Sequence, residues 1–167
     1  TSGLVLLAKN SAAEAFLTAA IKARDIEKRY LCVTFGRPTP PAALLRDYLL
    51  KDAERGIVRI TDTTAGGAKE VITGYETLAV SGRLALLEVE LVTGRTHQIR
   101  AQMAAAGWPL LGDGKYGKLD KRYDRKFQAL YSYKLTFQFT TDAGCLSYLD
   151  GKTFQVESVD FVQEYFT

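Results

Sequence analysis

The sequence predicts an α+β fold, in which an antiparallel-rich mixed β-sheet is flanked by helices and loops. Two observations support this prediction. Stretches with strand-like patterns are joined by short turns at residues 81–83 and 142–144, which is typical of β-hairpins. Helical periodicity is confined to two short segments, one opened by a start signal and one closed by a stop signal. Hairpin-linked strands with few helices indicate an α+β class rather than a parallel α/β class.

The first half of the chain is predicted to hold three strands and one helix. Residues 3–8 are apolar and predict a buried strand, and the capping-box pattern that begins at Ser11 predicts a helix start. Residues 28–35 alternate in character, which predicts a strand with two distinct faces. Prolines end that strand, residues 42–50 are expected to be irregular or helical, and residues 56–60 form a short strand.

The second half is predicted to contain a hairpin, a helix and further short strands. Strands at 69–80 and 84–92 form the hairpin, and a helix over 95–106 ends at Gly107 and Pro109. The later elements are expected to be a loop at 112–128, strands at 129–140, 145–149 and 154–157, and a helical turn at the end of the chain. Without a repeat or a linker, residues 1–167 are expected to lie in one domain.

Composition excludes several classes of protein. Apolar residues make up 47% of the chain and charged residues 25%, as in soluble globular proteins, and no stretch approaches the ~20 apolar residues of a membrane span. Cys32 and Cys145 stand far apart in sequence, which fits a reducing compartment, and a cytoplasmic monomer is expected. The single histidine and the absence of nucleotide-binding or nucleophile-elbow motifs disfavour metallohydrolases, NTPases, dehydrogenases and serine hydrolases, and no cofactor is expected.

Positive charge is concentrated between residues 115 and 126. This segment holds six basic and two acidic residues, a balance of +4 in a chain whose net charge is +3, and Tyr116 and Tyr123 are interleaved with it. Basic and aromatic side chains together are typical of surfaces that contact nucleic acid. Composition alone favours the alternative, a solvated loop.

The densest polar stretch covers residues 93–100, where a strand ends and a helix is predicted to begin. Arg100 lies beside the apolar stripe of Ile99 and Met103, so partial burial is expected. A buried arginine needs a counter-charge, and the predicted helix contains no acid, so a partner would come from elsewhere in the fold. The alternative is an ordinary surface arginine that extends to solvent. No physical feature alone distinguishes Tyr30 from the other eight tyrosines.

Three segments together resemble the RluA-type family of RNA pseudouridine synthases. Residues 1–4, T-S-G-L, resemble the end of the family's H-R-L-D-x-x-T-S-G-L motif, and residues 28–30, K-R-Y, resemble its K-x-Y motif. Residues 93–100 read T-G-R-T-H-Q-I-R and are followed by G-W-P-L-L-G-D at 107–113 and Y-G at 116–117. The resemblance implies the pseudouridine synthase catalytic fold, with residues 1–167 as its later part and the N-terminal part of the domain absent.

The resemblance also implies a function and a set of site residues. It implies isomerisation of uridine in RNA, most readily in single strands or loops of large-subunit ribosomal RNA, without a cofactor. Tyr30 and Arg100 resemble the family's active-site tyrosine and arginine, Arg95 and His97 are expected to position RNA, and Lys115 is expected to contact it with the basic segment. A non-catalytic RNA-binding module on the same scaffold is the alternative.

The catalytic aspartate of the family would fall three residues before Thr1. The resemblance therefore implies that this chain alone is inactive. It also implies that Arg100 lacks its acidic partner here.

Overall fold

A computed structural model describes residues 1–167 and places eight strands in one mixed sheet. The strands are β1 (Ser2–Gly3), β2 (Ile26–Phe35), β3 (Ala42–Asp52), β4 (Ile57–Thr61), β5 (Lys69–Ser81), β6 (Leu84–Leu91), β7 (Leu130–Phe137) and β8 (Thr153–Gln155). Their order across the sheet is β1-β7-β2-β6-β5-β3-β4, and β8 pairs with β7. Every pairing is antiparallel except that of β1 with β7. The predicted antiparallel-rich α+β class is confirmed.

Three helices accompany the sheet: α1 (Ser11–Lys22), α2 (Gln98–Ala105) and α3 (Asp160–Phe166). Helix α1 begins at Ser11 as predicted, but its cap is Asn10, whose side-chain oxygen accepts the N–H of Ala13 at 2.9 Å. Capping satisfies one of the amide donors that a helix leaves free at its start. No helix in the structure has the length and apolar character needed to cross a bilayer.

Strand β2 lies between β7 and β6 and has the two distinct faces that its alternating sequence predicts, and residues 31–34 are buried on both. On one face Cys32 packs in a cluster with Ile99 and Met103 of α2. On the other face Leu31 and Val33 belong to a cluster that includes residues of α3. Burying an aliphatic or aromatic side chain of this size contributes roughly 1.5–3 kcal/mol, so the two layers hold β2 firmly in place.

Helix α1 lies on the same face of the sheet as α2. Leu17 and Ala20 of α1 pack on Ile26 of β2 and on Leu135 and Phe137 of β7. Because side chains alternate along a strand, Ile26, Cys32 and the residues between them at 28 and 30 share one face. Positions 28 and 30 therefore lie between the two helices, and this face of the sheet carries the candidate site.

Two predicted elements are wrong at the N-terminal side of the chain. Residues 4–8 are not a buried strand, since only Ser2–Gly3 pairs with β7 and Val5 and Leu7 are 76% and 80% exposed. Residues 42–50 are not irregular or helical but belong to β3, which is hydrogen-bonded to β4 and β5 on either side. Pairing on both edges decides the second case, since tertiary contacts override the weak local preference of this segment.

A third error lies near the end of the chain. Residues 145–149 do not form a strand but lie in the 3₁₀ helix Gly144–Leu149. Gly144 has a φ of 52°, a left-handed conformation that turns the chain away from the extended path. The strand that follows β7 in the chain and pairs with it is instead β8, which lies near the predicted 154–157 strand. Helix α3 confirms the predicted helical end.

Candidate active site

The loop between β6 and α2 is fastened to the sheet by the buried amide of Gln98. Its oxygen accepts the hydroxyl of Thr93 at 2.8 Å and the N–H of Arg95 at 3.1 Å. Its nitrogen donates to the carbonyl of Ile72 at 3.0 Å and to the hydroxyl of Thr73 at 2.9 Å. An amide side chain has two donors and two lone pairs, so every one is used. This arrangement holds residues 93–97 as a loop, and α2 begins at Gln98 instead of at the predicted residue 95.

His97 occupies the position directly before α2 in a left-handed conformation, with a φ of 55°. Its Nδ1 lies 2.8 Å from the hydroxyl oxygen of Tyr116, which also accepts the N–H of Val58 at 3.0 Å. We assign the Tyr116 hydroxyl as the donor in its contact with Nδ1, and this assignment places the imidazole proton on Nε2.

The surroundings of His97 favour the neutral imidazole. Burial lowers the pKa of His97, and the nearby cations Arg100 and Lys115 lower this pKa further. A neutral ring with its proton on Nε2 is a hydrogen-bond donor at neutral pH.

Arg100 and Asp113 form a two-point ion pair. The Nε of Arg100 lies 2.7 Å from Oδ2 of Asp113, and Nη2 lies 2.8 Å from Oδ1. The Asp113 side chain is fully buried and that of Arg100 is 12% exposed. The expectation that Arg100 lacks an acidic partner is therefore wrong, because the loop after α2 folds back and supplies one.

Further contacts hold the pair in place. Oδ1 of Asp113 accepts the backbone N–H groups of Lys115 and Tyr116 at 3.0 and 3.1 Å. Burial alone would raise the pKa of Asp113, but the hydrogen bonds from Arg100 and from these two amides outweigh it, and the pKa lies below its ordinary value. The hydrogen bond to Asp113 raises the pKa of Arg100, whose guanidinium lies 5.1 Å from the centre of the Tyr116 ring.

Three N–H bonds of the Arg100 guanidinium make no hydrogen bond to Asp113. A guanidinium has five N–H bonds, and Asp113 takes one from Nε and one from Nη2. The two N–H bonds of Nη1 and the second of Nη2 are free to bind another acceptor. Since Arg100 also lines a pocket, it can hold a second anionic group there.

Four of the five predicted site residues surround this pocket of about 100 Å³. Tyr30 of β2 faces Arg95, His97 and Arg100 from the loop and α2. Leu91 and Leu130 line it together with Thr1, and no carboxylate does so. The pocket thus combines an aromatic wall, apolar walls and two arginines, a combination that suits a base attached to a phosphate backbone. The individual roles of these residues stay predictions.

The fifth predicted residue, Lys115, does not line the pocket. Its ammonium donates to the carbonyl of Gly56 at 2.9 Å. Two other cations of the basic segment also have partners within the chain, since Arg122 pairs with Asp120 and Arg125 lies 3.5 Å from carboxylates of α3. The exposed cations of the segment that make no such contact are Lys118, Lys121 and Lys126.

Sequence reasoning misses Asp113 and Tyr116 as parts of the site. Both lie in the block that resembles the family, at the spacing G-D-x-x-Y-G. The spacing is a usable signal, since an aspartate can accept the N–H groups of the second and third residues after it. The resemblance implies that the acidic partner of Arg100 is a residue before Thr1. For that reason Asp113, the partner within the chain, is not predicted.

Comparison with known proteins identifies the family. A family model described as RNA pseudouridylate synthase matches residues 1–105, more than half of the chain. The chain belongs to the RNA pseudouridylate synthase family. The ribosomal large subunit pseudouridine synthase C of Rickettsia typhi is 35% identical over 133 residues, which cover 79% of this chain and 44% of that protein. The ribosomal large subunit pseudouridine synthase D of Zymomonas mobilis is 32% identical over 130 residues, 78% of this chain and 40% of that protein.

These relatives agree with the RluA-type resemblance of the motifs, and that prediction is confirmed. The chain spans less than half of the length of the relatives named above. Solved structures of pseudouridine synthase domains share its fold. Human RNA pseudouridylate synthase domain containing 1 superimposes with a TM-score of 0.67 at 23% identity, covering 93% of this chain and 71% of that one. Human RNA pseudouridylate synthase domain containing 4 gives 0.64 at 19% identity, covering 77% and 59%.

Proposed function

We propose that this chain forms part of an enzyme that isomerises uridine to pseudouridine in RNA, with large-subunit ribosomal RNA as the substrate class. The family supports the reaction type, and relatives named as ribosomal large subunit pseudouridine synthases support the substrate class. The observation that carries the proposal is the pocket in which Tyr30 and Arg100 meet. Its lining residues supply the positive group and the aromatic surface that the reaction uses.

The reaction balances without an oxidant or a co-reactant. The bond from N1 of uracil to C1′ of ribose breaks, the base turns, and a bond from C5 to C1′ forms. C5 loses its proton and N1 gains one, so the product is an isomer of the substrate. Such a sequence needs an ionised carboxylate as nucleophile or base, and a positive group that keeps it ionised.

Arg100 fits the second of these needs. Asp113 fixes its guanidinium through Nε and Nη2, and the remaining N–H bonds serve a second carboxylate at the pocket. We infer that this carboxylate is an aspartate in polypeptide preceding Thr1. Two observations support the inference: residues 1–4 resemble the end of the family motif that carries this aspartate, and none of the chain's own acids lines the pocket.

Tyr30 and the polar loop serve the nucleotide. The uridine must leave its stack in the RNA, which costs a few kcal/mol. Stacking of the base on an aromatic side chain stabilises the bound state by about 1–3 kcal/mol and so offsets part of this cost. Tyr30 supplies that side chain. Its phenol oxygen takes up the proton that leaves C5 and gives up its own proton to water, so the phenol remains neutral. Arg95 and the Nε2–H of His97 supply donors for phosphate or base oxygens at the same pocket.

Tritium release from ribosomal RNA containing 5-tritiated uridine tests the proposal, because only isomerisation expels the C5 hydrogen. The chain is assayed alone and as part of a longer polypeptide that includes the residues preceding Thr1. We expect release only when the preceding aspartate is present. Release by the chain alone would contradict the upstream nucleophile, and RNA binding without release from either would favour a non-catalytic binding module.

Variants of two tyrosines test the site itself. Tyr30→Phe in the active polypeptide is expected to lower the single-turnover rate at least tenfold, since the hydroxyl is the proton acceptor. Tyr131→Phe is the matched control, since Tyr131 packs against the cluster on the opposite face of the sheet. Equal rates for the two variants would contradict the role of Tyr30.

A further inference from the structure

Lys28 is a half-buried lysine on the site face of β2, two residues before Tyr30. Its ammonium forms no salt bridge, and burial lowers the pKa of Lys28 without any acidic neighbour to offset that effect. Keeping a cation partly out of water without a partner is unfavourable. This lysine is therefore ready to bind an anion that the isolated chain does not supply.

The ammonium of Lys28 lies against Gly94, in the loop that carries Arg95 and His97. A Cβ atom at Gly94 would lie 2.8 Å from Nζ, and no other atom outside residues 93–95 lies within 4 Å of that position. Gly94 does not have a positive φ, so the backbone conformation does not require glycine there. What the glycine provides is room for the ammonium beside the loop.

A second unpaired cation belongs to the loop that the Lys28 ammonium contacts. Arg95 follows Gly94, is exposed, forms no salt bridge, and lines the pocket with Tyr30. Lys28 and Tyr30 are about 7 Å apart along β2, since a strand rises 3.2–3.4 Å per residue. A base that stacks on Tyr30 would thus carry its backbone close to both cations.

We propose that Lys28 and Arg95 form a binding position for a backbone phosphate of the RNA beside the nucleotide in the pocket. This inference rests on the proposed function, since it assumes that the pocket receives a nucleotide. The ligand is a phosphodiester, bound through charge and hydrogen bonds without reading the base. Gly94 belongs to the site because its missing side chain admits the ammonium.

The salt dependence of RNA binding measures this contact. Each phosphate neutralised by a protein cation contributes about 0.7 to the slope of log affinity against log salt concentration for single strands. Binding of a fluorescent single-stranded oligonucleotide is measured across a KCl series, using the same polypeptide that is assayed for tritium release. The variants are Lys28→Met, which keeps the apolar stem, and Gly94→Ala, which keeps the charge and fills the space of the ammonium.

We expect Lys28→Met to lower the slope by about 0.7. Gly94→Ala should lower it by less, because the end of the flexible lysine side chain can move away from the added methyl group and keeps its charge. The loss should be equal for oligonucleotides with and without uridine. Lys152→Met is the control, because Lys152 is exposed and its ammonium lies 5.9 Å from the ring centre of Tyr148. This control should keep the original slope.

The outcomes separate the two proposals. An unchanged slope for Lys28→Met in a protein that releases tritium would overturn the phosphate position and leave the proposed function intact. For Lys28→Met, a lower single-turnover rate at saturating RNA together with an unchanged slope would also overturn the phosphate position, since Lys28 would then act at the reacting base. If no tritium is released, the proposed function fails, and the slopes of the Lys28→Met and Gly94→Ala variants still decide whether this position binds RNA phosphate.

Discussion

Asp113 is the residue on which the geometry of the site depends most. Its carboxylate accepts four hydrogen bonds, two from Arg100 and one each from the amides of Lys115 and Tyr116. It thereby joins α2 to the loop that follows, and it orients the guanidinium that lines the pocket. A buried carboxylate with this many donors is difficult to replace.

Substitution of Asp113 should therefore destabilise the fold. Asp113→Ala leaves Arg100 without its partner in a largely buried position, and we expect the free energy of unfolding to fall by about 3–5 kcal/mol. Urea denaturation followed by circular dichroism measures this change. Asp120→Ala is the matched control, since the Asp120–Arg122 pair lies at the surface and should shift the midpoint much less. Equal shifts for the two variants would contradict a structural role for the buried pair.

His97 should titrate below its ordinary value. Burial and two nearby cations lower its pKa, so the midpoint of an NMR titration is expected below 6.5. Because the unfolded chain binds the proton more readily, the stability due to neutral His97 is complete above pH 6.5 and is lost as the pH falls through the folded pKa. His97→Gln should remove this part of the pH dependence. His97 is the only histidine, so its signal is unambiguous, and a midpoint at or above 6.5 would contradict the prediction.

At the scale of elements, the 93–100 segment divides into two kinds of residue. Thr93 and Gln98 bind one another and the strand β5, while Arg95, His97 and Arg100 line the pocket. The first set holds the loop at a fixed height above the sheet. The second set then projects from a rigid support, which is what a binding site requires for reproducible geometry.

Gln98→Met should break this support. The variant keeps the length of the side chain but loses the four hydrogen bonds of the amide. Each buried partner that is left without a hydrogen bond costs about 1–3 kcal/mol of stability. We expect a clear loss of stability in thermal denaturation, together with faster hydrogen exchange of the Arg95 amide. Gln155→Met at an exposed position of β8 is the control and should leave both quantities unchanged. A stable Gln98→Met variant would show that the loop is held by other contacts.

At the scale of the whole molecule, the sheet protects one cysteine and exposes the other. Cys32 lies in the middle of β2 with no exposed surface, and burial raises the pKa of its thiol. Cys145 lies in an exposed 3₁₀ turn. Since the thiolate is the reactive form, the two should differ greatly in reactivity.

Thiol labelling with an aromatic disulfide reagent should therefore report global unfolding. We expect one thiol per chain to react quickly in the native state and the second to react only as fast as β2 opens. Cys145→Ser should abolish the fast phase, and urea should accelerate the slow one. Rapid labelling of two thiols in the native protein would contradict the burial of β2.

Much of this molecule is predictable from local pattern. The alternation at 28–35, the hairpin at 81–83 and the start of α1 each depend on residues close in sequence, so they could be predicted. Strand β3 could not, because its pairing with β4 and β5 decides its conformation. For residues 4–8 a strand is predicted but does not form, because an apolar run does not become a strand where no neighbouring strand pairs with it.

The fold class can be predicted from pattern along the chain, and the family resemblance predicts four residues that meet at the pocket, namely Tyr30, Arg95, His97 and Arg100. The pairing of Arg100 with Asp113 and the contact of the Lys28 ammonium with Gly94 became visible only in the folded chain. Patterns along the chain record which residues are apolar, flexible or charged, whereas the partner of a buried charge is chosen by which loop the packed core brings within hydrogen-bonding distance.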